Sequence, residues 1–149
     1  MALILIFGVE FLLNFVFEQF NISENEIGFS KLKNRGLGES IFLVAILAPI
    51  LESLIFQYFV INVIQFLAKK IKFNDSKKIN LICILTSTIL FASAHFGYSF
   101  WYFLATLPAG LILAITYLNF QKRTPNGFWM IVVLHSIHNI ISLMLNAFF

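Results

Sequence analysis

The stretch SIFLVAILAPILESLIFQYFVINVIQFLA, Ser40–Ala68, decides how the chain is read, and Glu52 is its one ionisable side chain. It is too long for a strand and lacks the polar alternation of a membrane-barrel strand. As a helix it extends about 43 Å at 1.5 Å per residue, more than the roughly 30 Å of a bilayer's hydrocarbon core requires. Pro49 stands three residues before Glu52. A proline inside a helix removes one backbone hydrogen bond and bends it, or else opens a new helix. A break or tilt there would reconcile the length and free backbone groups beside Glu52. A plain structural kink explains the proline equally well.

Four other runs have the same character: Met1–Phe20, Ile79–Phe96, Ser99–Phe120 and Phe128–Phe149. The expected fold is therefore all-α, a polytopic transmembrane bundle of about five helices. Composition agrees: 60% of the 149 residues are hydrophobic and 11% charged. Soluble domains carry roughly 25% charged residues. So little charge could not cover a water-soluble surface. The first run has no basic start and no small-residue cleavage site, so it reads as a helix and not as a signal peptide. Cys83 is the single cysteine and excludes an internal disulfide.

The net charge of +3 lies in connections, so it reports topology and no nucleic-acid partner. Lys69, Lys70, Lys72, Lys77 and Lys78 surround one connection, and Lys122 and Arg123 lie in another on the same face. Opposite them, Lys31, Lys33 and Arg35 are offset by Glu24, Glu26 and Glu39. Positive charge favours the cytoplasmic side, so the amino terminus is expected inside and the carboxyl terminus outside. Residues 1–149 are taken as one membrane domain, with an N-terminal helix and connecting loop over 1–39 and a four-helix core over 40–149.

Ionisable side chains at membrane depth are costly and mostly functional. Besides Glu52, His95 ends the third run, and His135, His138 and Asn139 lie inside the fifth. Residues four apart share a helix face, so His135 and Asn139 do, with His138 in the same arc. One carboxylate and two or three imidazoles could thus meet between helices. The alternative is a set of unrelated packing polars, each bonded to a neighbouring backbone. Depth is an obstacle. His95 lies about 24 Å along the third run and His135 about 11 Å along the parallel fifth, so tilt or a late start to the third helix is needed.

These residues fall in a recognisable order. Ala48-Pro-Ile-Leu-Glu-Ser-Leu-Ile-Phe-Gln57 resembles a motif usually written EExxxR. Phe91-Ala-Ser-Ala-His95 is similar to FxxxH, and His135-Ser-Ile-His-Asn139 to HxxxN. Ala109-Gly110, Lys122-Arg123-Thr124 and Phe128-Trp129 add to the likeness. Over roughly residues 40–145 the chain resembles the CAAX-protease and bacteriocin-processing (CPBP) family of glutamate-dependent intramembrane proteases, which includes bacterial members. The resemblance implies an integral protein, expected in a bacterial cell membrane, acting on a membrane-associated peptide or protein. By it, Glu52 would activate water, His95 would assist, and His135 and Asn139 would stabilise the oxyanion, with no cofactor. Two donors at a developing oxyanion could each be worth about 3 kcal/mol.

Ser53 and Gln57 depart from the motif's second glutamate and its arginine. At i and i+4 the usual pair could form an ion pair. Losing one partner strands a buried charge, whereas losing both can be tolerated, so the change reads as a coupled structural substitution. Tyr58, where the family often has glycine, is a further departure. Glu10, Asn14 and Glu18 form a polar stripe on the first helix, read foremost as a face hidden in the bundle or at the interface. Ala105, Ala109, Gly110 and Ala114 suit close helix packing. Trp101, Tyr102 and Trp129 read as interfacial anchors.

Two other readings stand beside the metal-independent protease. In one, zinc binds Glu52, His95 and His135, a donor set suited to that ion. In the other, the same fold serves as a non-catalytic membrane interaction or bacteriocin self-immunity protein. A transporter or channel fits less well, because the chain shows one polar site and no polar path.

Overall fold

A computed structural model describes residues 1–22 and 37–148. Among them, five helices are long and apolar enough to cross a bilayer. They are α1 (Ala2–Gln19), α2 (Ile41–Lys70), α3 (Ser76–Ala94), α4 (Phe100–Gln121) and α5 (Gly127–Phe148). The protein is an integral membrane helix bundle, as the hydropathy pattern required. The connection bearing Lys31, Lys33, Arg35, Glu24 and Glu26 lies outside the described residues.

Lipid is the solvent for the bundle's outer face. Phe11, Phe15, Phe66, Ile89 and Val133 are all exposed. The interior holds Ile6, Ile61, Cys83, Phe91, Leu113, Ala114 and Ile131. Helix α3 packs along α4, and α5 packs against both α4 and α2. Helix α1 docks on α4. Its Ile6 and Phe17 are buried, and Phe17 meets Trp101 edge-on at 5.9 Å. An amide clasp ties α2 to α4. Asn62 donates to the Tyr117 hydroxyl at 2.9 Å, Gln121 donates to Asn62 at 3.1 Å, and Gln65 and Gln121 exchange bonds. In hydrocarbon such groups need each other, because no water competes for them.

Helix α3 starts three residues earlier than hydropathy suggests. The Asp75 side chain accepts from the Lys78 amide at 3.1 Å and caps the helix. The first turn is therefore helical but charged, which a hydropathy count passes over. Ser99 caps α4 in the same way, accepting from Tyr102 at 2.9 Å.

Pro49 does not break α2. The helix runs through it by widening: Ile41–Leu47 and Ser53–Phe59 are π-helical, flanking the α-helical Ala48–Glu52. In π register a carbonyl accepts from the amide five residues on. For Val44 that residue is Pro49, which has no N–H. The first widened stretch ends two residues before the proline, and the Val44 carbonyl has no proline N–H to accept in that register. Asn139 donates to that carbonyl through Nδ2 at 2.8 Å.

Candidate active site

Glu52 is the last residue of the α-helical segment of α2, His95 caps the end of α3, and His135 lies in the third turn of α5, facing them. The three side chains meet. Glu52 Oε1 is 3.9 Å from His95 Nε2, and Glu52 Oε2 is 3.6 Å from His135 Nε2. Each carboxylate oxygen thus faces one imidazole. The depth difference closes although α3 begins early, so the match comes from how the helices are offset and tilted, not from a late start. His135 is almost fully buried, and the Glu52 side chain is about a quarter exposed (24%), so the site is not sealed.

A hydrogen bond assigns one imidazole proton. His95 Nδ1 is 2.9 Å from the Phe91 carbonyl, which only accepts. Nδ1 therefore carries hydrogen, and Nε2 of the neutral ring turns its lone pair toward Glu52. His135 Nδ1 lies 3.4 Å from Ser53 Oγ, which can donate or accept. Where the hydroxyl donates, the His135 hydrogen is left on Nε2, toward Glu52. The departure at Ser53 thus acquires a partner inside the site.

Gln57 does not. It is fully buried, and its amide nitrogen and oxygen find no partner among the described residues; Ser87 Oγ and Thr88 Oγ1 share that state. Tyr58 turns outward and packs edge-on against Phe128 at 5.6 Å and Tyr117 at 6.5 Å, so its bulk does not enter the site.

Phe91 forms the floor. Its ring lies 5.0 Å from that of His95, 5.8 Å from His135 and 5.7 Å from Phe56. Gly110 of α4 makes room for it: a Cβ there would sit 2.8 Å from Phe91 Cδ1. The ring is hemmed in on its other sides and has nowhere to retreat. Gly110→Ala should therefore cost about 1–3 kcal/mol, the usual penalty for overpacking, read as a lower unfolding temperature in detergent. An unchanged transition would mean that Phe91 can move freely.

His138 does not join Glu52. It turns to α1, where its Nε2 is 2.7 Å from Glu10 Oε1. Asn139 is held by the Val44 carbonyl and by His138 Nδ1, 3.0 Å from its Oδ1. The polar stripe of α1 is not hidden as a unit: Glu10 turns inward, while Asn14 and Glu18 are exposed. Tyr102, read as an interfacial anchor, instead sets its ring 5.3 Å from that of His95 and 5.4 Å from Tyr98. The closeness of Tyr98 and Tyr102 to His95 in the sequence is the signal that would have marked this pair.

A membrane bundle that gathers a carboxylate and two imidazoles from three helices has the make-up of an intramembrane hydrolase site. The family model for type II CAAX prenyl endopeptidases, Rce1-like, matches residues 37–141, and the chain belongs to that family of proteases. The match spans α2 to most of α5 and includes Glu52, His95, His135 and Asn139. No curated protein and no solved structure matches the chain.

Proposed function

We propose that the protein is an intramembrane endopeptidase in which Glu52 activates water. The observation that carries this reading is the facing of two acceptors, the Glu52 carboxylate and the His95 Nε2 lone pair, 3.9 Å apart. Two acceptors aimed at one point suit a donor between them, and water can give a hydrogen to each. Its oxygen then attacks the peptide carbonyl carbon. The proton moves to Glu52 and from there to the leaving amine as the C–N bond breaks. Nε2–H of His135 and the second Nδ2 hydrogen of Asn139 are the donors available for the oxyanion. Under the orientation that the basic connections favour, His95 and the α3–α4 turn lie toward the outer face.

The experiment that tests this compares peptide termini across the proteome in cells with wild type or Glu52→Gln. Specific products should vanish in the variant at unchanged protein abundance. Products that persist in equal yield would leave the fold with an interaction or self-immunity role instead. The zinc reading places the ion on the same three side chains, and cleavage that survives exhaustive chelation would discard it.

Ser53→Ala tests the tautomer. Without the hydroxyl, His135 Nδ1 loses its donor and the imidazole is free to place its hydrogen on either nitrogen. Cleavage should fall by about three- to tenfold, the scale of one modest hydrogen bond. Ser53→Thr, which keeps the hydroxyl, should recover most of it. Equal activity in all three proteins would sink the assignment.

A further inference from the structure

Helix α1 lies outside the residues that match the family, yet it reaches Asn139 through a chain of hydrogen bonds whose directions are fixed. The chain begins at the Val44 carbonyl, which can only accept. Asn139 Nδ2 must therefore be the group 2.8 Å from it, and Asn139 Oδ1 must point the other way. Oδ1 also only accepts, so His138 Nδ1, 3.0 Å away, must carry hydrogen. That leaves His138 Nε2 opposite Glu10 Oε1 at 2.7 Å, a distance that requires one proton between them. Ser142 Oγ, one turn further along α5, is 3.5 Å from the same nitrogen. The His138 ring is also packed 5.1 Å from that of Phe7, so α1 supplies both a polar and an apolar contact to it.

We propose that Glu10 and His138 are positioning residues that hold the Asn139 amide in register, so that α1 completes a site otherwise built by α2 to α5. The catalytic part of this statement rests on the protease reading; the positioning part does not. Asn139 has two Nδ2 hydrogens, and Val44 takes one. The direction of the other depends on the amide not rotating, and Nδ1–H of His138 on Oδ1 adds to the Val44 bond in resisting rotation. His138 in turn keeps that ring orientation because Glu10 satisfies Nε2 in a region where lipid offers no substitute. Remove Glu10, and turning the ring or withdrawing it costs little.

The full chain, labelled with 15N-asparagine in lipid nanodiscs, gives a readout independent of proteolysis. The Asn139 side-chain signals are assigned by their loss in Asn139→Ala. In wild type, one of the two Nδ2 protons should be shifted and slow to exchange. Glu10→Leu should move both signals and speed that exchange by about tenfold, the scale of one lost hydrogen bond. Glu10→Gln, whose amide can still donate to Nε2, should restore most of the wild-type pattern. His138→Phe keeps a ring against Phe7 and should reproduce the Glu10→Leu shift without loss of α1 docking. Identical Asn139 signals in wild type, Glu10→Leu and His138→Phe would overturn the proposal. Product yields in the termini comparison should follow the same order, with Glu10→Gln above Glu10→Leu. If wild type yields no products at all, the protease reading fails and the amide signals still decide the positioning role.

Discussion

Glu52→Gln should lower peptide hydrolysis by about 10²–10⁴-fold, the range that a positioned general base contributes, while the amount of folded protein stays level. Glutamine has the same shape as glutamate but cannot take a proton from water at neutral pH. The fold should tolerate it because Glu52 holds little in place. Its oxygens stand 3.6 and 3.9 Å from the two imidazoles, too far for strong hydrogen bonds, and the side chain is partly exposed. A variant that kept wild-type product yields would remove Glu52 from the chemistry. A loss of products together with a loss of protein would be resolved by His95→Gln. The Gln side chain can still donate to the Phe91 carbonyl as His95 Nδ1 does, so that variant should lose cleavage with less effect on folding.

The second large effect concerns Gln57. Gln57→Arg alone should destabilise the protein by about 3–5 kcal/mol, the cost of a buried charge without a partner. Gln57 is fully buried, and the residue one turn before it, Ser53, is neutral. Adding Ser53→Glu should recover much of that loss by restoring the ion pair of the usual motif. The coupling between the two changes should reach about 2 kcal/mol, in the range for residues in direct contact. Unfolding in mild detergent of both single variants and the double variant measures it. Additive effects would show that the two positions changed independently. The double variant should not regain cleavage in full, because glutamate at position 53 removes the hydroxyl that lies beside His135 Nδ1.

The membrane spans were legible because lipid asks one simple thing of a sequence, a long run without charge. Glu52, His95 and His135 were legible for the complementary reason: each breaks such a run. The pairing of His138 was not. Its spacing from His135 placed it in the same arc, but an arc does not say which neighbouring helix it faces. The bond to Glu10 spans 128 positions in the chain, and nothing local encodes it. Tyr102 was misplaced for a related reason. A tyrosine near a helix end fits a lipid interface equally well, and only the neighbouring His95 and Tyr98 turn it inward. Pro49 in a long apolar run predicts a break or tilt, because those are the usual outcomes of a helix proline. Helix α2 widens instead, and the Val44 carbonyl in the widened stretch meets Asn139, which lies 95 positions away.

The two widened stretches on either side of Ala48–Glu52 give α2 a kind of slack. A π stretch differs from an ordinary helix by a surplus residue, so losing one residue there can tighten the coil without severing it. The wider turn takes up the surplus residue, so tightening it leaves the helix beyond facing nearly the same way. A one-residue loss from Ser53–Phe59 would then leave Asn62 and Gln65 turned toward Gln121. In an ordinary helix the same loss would swing one end away from its partners by about 100°. Helix α2 can therefore change length by a residue in either stretch without turning its two ends against each other.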